Sequence, residues 1–382
     1  MSLVQNLKGG ILAGVAAVER VSNSGGVSRN GSLREIENFL LLQYPTALGT
    51  AIHATPLIRA LRHAVPQCRI VVAASGFARD VFRNNPGIDR LIETPTPLKD
   101  LNGSVMTLRR ELPFGETAFA TLTSTGNERT RIAMQALLSG ASIRVGFTVV
   151  PKLYRKPLIF DRTSSQIANN LRIVQALGHT SVHFEPEIFY RQEDLAFARE
   201  TLARAGVQSG QPVAVFITQT SVTQRKSWRS ERFKAAAEFL MTRYGAHILF
   251  VGTAAEAAAI DELRGSLSAP TTSVAGRTTV LQLAALMSLV TVGLTLDTGP
   301  MHLGRAVGLP MVIIAPAWSP PIEWLPLGNN KFRILKNADI PVPPPQDYII
   351  DEVSVDEVTS ALADLLTRYP NRIPDQTEIH QG

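Results

Sequence analysis

Residues 291–316 read TVGLTLDTGPMHLGRAVGLPMVIIAP, and their succession of apolar runs and breakers decides the fold. TVGLTLD is short, apolar and rich in β-branched residues, as a buried strand is, and it stops at Asp297. Thr298 and Gly299 make the turn. Pro300 then stands at the first helical position, where its missing N–H costs nothing. GPMHLGRAVG reads as a helix and PMVIIAP as the next strand. Strand, helix and strand in this order predict parallel pairing with the helix across one face.

The same alternation extends in both directions. From residue 36 the runs ENFLLLQY, CRIVVAAS, GIDRLIET and IRVGF read as strands. Between them TAIHATPLIRALRHAV, GFARDVFRNN and NERTRIAMQALLSG read as single helices. Periodicity fades near HFEPEIFY and restarts with PVAVFIT, the helix SERFKAAAEFLMTRY, HILFVG, the helix AAEAAAIDELRGSL, TTSVAG and the helix VLQLAALMSLV. Two runs in 382 residues agree with a prior of ~150 residues per domain. The expected organisation is an N-terminal extension over 1–34, a first Rossmann-like domain over 35–187 and a second over 188–350. A C-terminal helix, SVDEVTSALADLLTRY, and a loose tail fill 351–382, the helix expected to pack back across the domains.

The bulk numbers are those of an ordinary globular protein, 45% hydrophobic and 18% charged. The net charge of +6 is spread without a dense Lys/Arg block, which argues against nucleic acid and for anionic substrates or an anionic membrane face. The single cysteine, Cys68, has no partner for an internal disulfide and no metal-site spacing around it; it reads as a small buried hydrophobe and suits a reducing compartment. No apolar run reaches the ~18 residues of a membrane span. LKGGILAGVAAVERV, near the start, fits a short signal-like segment, an amphipathic helix on a membrane surface or a plain extension, and SNSGGVSRNGS after it has linker composition.

In open parallel sheets, ligands bind at the carboxyl ends of the strands. The Asp297–Thr298–Gly299–Pro300 turn lies at such an end. Free N–H groups at Thr298 and Gly299, with the positive end of the helix dipole, suit a phosphate, and His302 on the first turn reaches the same place. The pattern also serves as an ordinary helix start.

The segments VGTAAE and AGRTTVLQLAALMSLVTVGLTLDTGPMHLGRAVGLP resemble the C-terminal half of glycosyltransferase family 9, the ADP-heptose:lipopolysaccharide heptosyltransferases. The resemblance continues through RKSWRSERF, LSGASIRVGF and ALGTAIHATPLIRALR, in order, over roughly residues 36–330. It implies the α/β GT-B architecture, two Rossmann-like domains with parallel sheets facing a central cleft. It assigns Asp297, Thr298, Gly299 and His302 to the donor diphosphate, and Lys226 to neutralising the donor phosphate. Thr220 and Ser221 fall on a phosphate-contacting loop, Glu256 at the ribose and Thr278 at the adenine.

The acceptor-facing half departs from the pattern. The family's turn reads Leu-Gly-Asp, its aspartate the general base, and here the residue is Thr50, whose hydroxyl takes no proton at neutral pH. Gln43 stands where a basic residue is common, and Pro320 replaces an aspartate in the loop that approaches the donor sugar. His53, a turn beyond Gly49, is the substitute base that the sequence offers, or else a satisfied helix histidine.

The resemblance implies inverting transfer of heptose from ADP-heptose to a lipid-linked glycan of the lipopolysaccharide core, with no cofactor and no metal, at the cytoplasmic face of the inner membrane. A transferase for another nucleotide sugar, or a catalytically silent nucleotide-sugar-binding protein, is the alternative that the altered positions raise.

Overall fold

The computed structural model describes residues 32–370 except 116, 142, 220–225, 341, 343, 346 and 347. The segment 1–31, the tail from 371 and the positions Thr220 and Ser221 lie outside the described residues. The chain forms two compact units, which divide between Phe189 and Tyr190.

In the first unit the elements run β1 (Asn38–Gln43), α1 (Leu48–Ile52), α2 (Thr55–Ala64), β2 (Arg69–Ala74), α3 (Phe77–Phe82), β3 (Arg90–Glu93), α4 (Leu101–Glu111), β4 (Ala120–Thr123), α5 (Thr130–Leu138), β5 (Ile143–Phe147), β6 (Lys156–Leu158) and α6 (Gln166–Ala176). The second has α7 (Gln192–Arg204), β7 (Val213–Ile217), α8 (Ser230–Tyr244), β8 (His247–Phe250), α9 (Ala257–Gly265), β9 (Thr272–Ser273), α10 (Val280–Leu289), β10 (Val292–Leu296), α11 (Gly299–Ala306), β11 (Met311–Ile314), α12 (Pro321–Trp324), β12 (Phe332–Leu335) and α13 (Val355–Arg368).

Both sheets are six-stranded and parallel throughout. Their orders, β3-β2-β1-β4-β5-β6 and β12-β11-β10-β7-β8-β9, are one doubly wound topology used twice. The order reverses between β1 and β4 in one unit and between β7 and β10 in the other, so each unit has a crevice at those strand ends. The central strands are apolar on both faces: Phe39, Leu40, Leu41 and Leu42 of β1 are fully buried, as helices on both sides of a parallel sheet require. Cys68 is buried just before β2, and burial pushes its thiol up to about 11, so the bland reading of this residue fits.

The single helix expected over Thr50–Val65 is corrected. It breaks at His53–Ala54 into α1 and α2. Pro56 has no N–H to offer the Ile52 carbonyl four residues back, and its ring crowds that carbonyl. The Thr55 hydroxyl donates to Ile52 O instead, at 2.8 Å, and a new helix starts.

Four elements of the first unit, α4, β4, β6 and α6, have no counterpart among the expected segments. α4 is capped by Asp100, which accepts the Gly103 N–H at 2.8 Å. α6 hid because its buried face carries Asn169 and Asn170, which break the apolar period. Asn170 accepts the Thr125 N–H at 2.9 Å and donates to His53 O at 3.0 Å, joining the loop after β4 to the break between α1 and α2.

In the second unit α13 is opened by a capping box of Ser354 and Glu357. Its Val358, Leu362 and Leu365 bury in one core with Phe233 and Leu240 of α8, so this helix belongs to the second unit's own packing. The loops after β8 and β9 touch at Gly276, whose N–H donates to Gly252 O at 2.9 Å. Gly276 has φ +67°, and a Cβ there would stand 2.7 Å from Ala254 Cα. Only glycine satisfies both demands. Gly276→Ala is therefore expected to lower stability by more than ~1 kcal/mol, as urea unfolding reads it, while Gly265→Ala, with open space around it, changes stability far less.

Candidate functional site

The crevice between β7 and β10 collects charge. Asp297 follows β10 directly and is 4% exposed; Lys226, after the end of β7, is 12% exposed. The Lys226 ammonium donates to Asp297 Oδ2 at 2.6 Å and to the Asp297 carbonyl at 3.3 Å. It also lies 5.5 Å from the centre of the Trp318 ring, a cation–π distance.

What holds the lysine there is the chain just after it. Ser227 bridges to Ile349 and accepts the Ile350 N–H at 2.8 Å. The Trp228 indole is buried and donates to Val353 O at 3.0 Å, with its ring edge-on to Phe233 at 4.8 Å. Arg229 donates to both oxygens of Asp351. Lys226 is thereby the arm of a segment fixed at three successive residues, with its tip held by Asp297.

α11 begins at Gly299 after Thr298, whose backbone is extended at φ −141°, ψ 172°. No side chain caps this helix; the Thr298 hydroxyl turns back to Leu296 O at 3.4 Å. The first N–H groups stand at the positive end of the helix, a place whose physics suits an anion. His302, one turn on, is 4% exposed and packs 5.8 Å from the Trp324 ring. Burial pushes its imidazole down to about 4; Asp297 opposes this, and Arg305 and Lys226 add to it. His302 is neutral at pH 7.

Asp297, Thr298, Gly299, His302 and Lys226 thus come together as the sequence implies. Glu256 and Thr278 lie on the neighbouring loops that meet at Gly276. Glu256 Oε2 accepts the Thr253 N–H at 2.7 Å in a capping box, so part of its role is structural. Thr278 is half-buried just before α10. Trp318 and Trp324 were not singled out from sequence; two tryptophans in a proline-rich loop after a strand end were the available signal. Among the described residues no group of three or more His, Cys, Asp or Glu side chains is placed to hold a metal ion. No helix among them is long and apolar enough to cross a membrane.

The equivalent crevice of the first unit, between β1 and β4, holds amides and hydroxyls. Gln43 donates to Ser124 Oγ at 2.6 Å, and Asn127 accepts the Tyr44 N–H at 2.7 Å. Thr50 is buried on α1 against Gly126, which has φ +81°; a Cβ at Gly126 would stand 2.4 Å from Thr50 Cγ2. His53 is 1% exposed in the break between the helices, enclosed rather than offered to solvent. Glu128, two residues past Gly126, is half-buried. Burial pushes its carboxyl above the ordinary glutamate range, against the pull of the Glu128 and Gly126 N–H groups and of Arg129.

Comparison with known proteins agrees with this fold. The family model described as glycosyltransferase family 9 (heptosyltransferase) matches residues 142–341. Lipopolysaccharide heptosyltransferase 3 of Escherichia coli K12 is 26% identical over 166 residues, 43% of this chain and 47% of that protein. The chain thus spans about half the length of the curated relatives it matches. A family 9 glycosyl transferase of Veillonella parvula superposes with a TM-score of 0.78 at 21% identity, over 87% of this chain and 98% of that one. The Escherichia coli ADP-heptose lipopolysaccharide heptosyltransferase II gives 0.68 at 19% identity, over 86% and 98%. The chain belongs to glycosyltransferase family 9, with the GT-B fold of two Rossmann-like units.

The depressed His302 fixes a pH dependence. An unfolded histidine binds a proton near 6.5 and the folded one only near 4, so the unfolded state takes up more protons between these values. Stability is complete above pH ~6.5 and falls as pH drops toward 4, by up to about 3 kcal/mol from this one group. In His302→Gln the difference in unfolding free energy between pH 7 and pH 5 is expected to shrink; an unchanged difference by urea titration counts against the burial argument.

Proposed function

We propose that the protein is an inverting glycosyltransferase that moves heptose from ADP-heptose to a lipopolysaccharide-core or related lipid-linked glycan. The observation that carries this is the pairing of Lys226 with an uncapped helix start at the crevice of the second sheet. A diphosphate laid on the Thr298–Gly299 N–H groups meets the helix dipole on one side and the ammonium on the other. As the sugar–phosphate bond breaks, negative charge grows on the departing ADP, and both groups stabilise it without reorganising. His302, neutral and enclosed, adds no charge of its own and shapes the wall of the site together with Trp324.

The loops around Gly276, with Glu256 and Thr278, lie at the neighbouring strand ends and suit the ribose and adenine. Trp318 and Trp324 offer flat apolar faces of the kind on which a sugar ring stacks. The names of the relatives, with ADP-heptose and lipopolysaccharide in them, support the donor and acceptor classes. A cytoplasmic site of action, peripheral to the inner membrane, follows from such an acceptor.

A second reading has its own observation. Thr50 replaces the family's base and lies buried against Gly126, as it would in a silent binder of nucleotide sugars. Slow ADP release from ADP-heptose identifies the enzyme; ADP binding with no release identifies the binder.

Lys226→Ala removes a charge-assisted contact worth about 1.5–3 kcal/mol, so ADP affinity is expected to fall roughly tenfold or more in calorimetry. It also strands the Asp297 carboxylate, so melting temperature should drop, and Lys226→Gln serves as the milder variant. Unchanged affinity rejects the placement. Because lysine and helix supply the positive charge, transfer is expected to persist in excess EDTA; loss of activity that magnesium or manganese restores overturns this part.

A further inference from the structure

We propose that the β6 edge of the first unit is a docking surface for a membrane leaflet of anionic lipid, with Val149 and Ile159 entering among the headgroups and Lys152, Arg155, Lys156 and Arg162 facing the lipid phosphates. This names a surface for the peripheral location proposed above. It asks nothing of the donor site, and its test reads lipid binding rather than transfer.

Charge distribution comes first. Between Arg129 and Phe184 the chain carries eight Lys and Arg residues and one carboxylate, Asp161, whereas its net charge over all 382 residues is +6. The basic excess therefore falls within this stretch, and the remainder is close to neutral. The cations stand apart in sequence and form no dense block; what the stretch lacks is carboxylates. Asp161, the exception, turns its carboxylate to its own loop. It accepts the Thr163 N–H at 2.9 Å and the Thr163 and Ser164 hydroxyls at 2.7 Å each.

β6 is the last strand of its sheet: one side pairs with β5, the other with no strand among the described residues. Phe147 of β5 lies beside Leu158 of β6. The chain therefore leaves the two strands side by side, and Val149 and Ile159 stand just past that pair, 58% and 83% exposed. Ile159 is the most exposed large apolar side chain among the described residues. Close to these two in the chain, Lys152, Arg155, Lys156 and Arg162 are exposed as well. The backbone beneath is fixed. Buried Arg144 donates to Leu153 O at 2.7 Å and to Ala141 O at 2.6 Å, and the Tyr154 hydroxyl pairs with Thr123 Oγ1 at 2.8 Å. Arg172 donates to Ile159 O at 2.7 Å. The exposed side chains are thus presented from a firm edge.

A lysine and a proline on an edge strand also keep it from pairing with another sheet, and Lys156 and Pro157 serve that end. That device gives no reason to leave aliphatic side chains in water at the strand end. A second copy of the chain is a poor occupant, since two such edges would bring like charges together. Nucleic acid is disfavoured too: among residues 149–162 no aromatic side chain is exposed for bases to stack on. Aliphatic side chains among cations suit a bilayer surface, whose phosphates lie above its acyl chains.

The test is sedimentation of the full chain with vesicles of phosphatidylcholine, and of phosphatidylcholine with an equal part of phosphatidylglycerol, at low and high salt, beside calorimetry with ADP. The wild type is expected to bind the anionic vesicles, to release them in high salt and to bind the neutral ones far less. Lys156→Gln with Arg162→Gln is expected to lower anionic binding roughly tenfold or more, and Ile159→Ser severalfold, with ADP affinity unchanged. Arg199→Gln with Lys234→Gln, which removes the same charge outside the patch, should bind as the wild type does. Anionic binding that survives in both patch variants, or that falls equally in the control, overturns the assignment. So does a wild type with no preference for anionic vesicles, or one that self-associates through Ile159 without binding lipid. A wild type that binds anionic vesicles through this edge but does not bind ADP overturns the donor reading and leaves this one standing.

Discussion

An ammonium and a carboxylate held 2.6 Å apart at the reversal of a parallel sheet organise the second unit. Such a pair is a weak source of stability, because removing both ions from water costs about as much as their attraction returns. Its value lies in position. An aspartate alone at this strand end would repel any anion; with Lys226 against it, the carboxylate holds the ammonium in place and its charge is cancelled. Everything around the pair serves that placement. β7 and β10 are neighbours, so their ends fall together; Trp228, Ser227 and Arg229 fix the chain behind the lysine; and the helix after Asp297 begins without a cap.

The two units use one topology for two chemistries. Both reverse strand order at the centre, and both put their polar groups at that edge. In the second unit these groups are charged and gathered around a helix start. In the first they are neutral, Gln43, Ser124, Asn127 and Asn170 linking loop to loop, with Glu128 as the half-buried acid among them.

The second unit was legible from β7 to β11 because its signals there are local, while α7, α12 and β12 went unread. Asp297, Gly299 and Pro300 announce a strand end and a helix start within four residues, and α8 and α10 fall on the periodic segments as read. Lys226 needed the family resemblance, since nothing next to it in sequence says that Asp297 is its partner. The first unit was harder for the same reason. Pro56 did carry the break between α1 and α2, but as an early-helix proline it reads equally well as a tolerated one. Asn170 looks like a flaw in an amphipathic helix until Thr125 and His53 are seen at its two ends. Gly126 reads as an ordinary turn glycine, and only the pairing of β1 with β4 brings it to Thr50.

The pinning of residues 227–229 to 349–353 also sets an order of assembly during synthesis. On a ribosome the strands β7, β8 and β10 emerge well before the segment that fixes Trp228, and before the apolar face of α13 that closes the same core. Until those later residues are made, the lysine arm has no anchor and the half-finished sheet keeps an uncovered apolar face. The Lys226–Asp297 crevice is therefore finished late in translation, and a chain stopped short of α13 would meet chaperones before that crevice was formed.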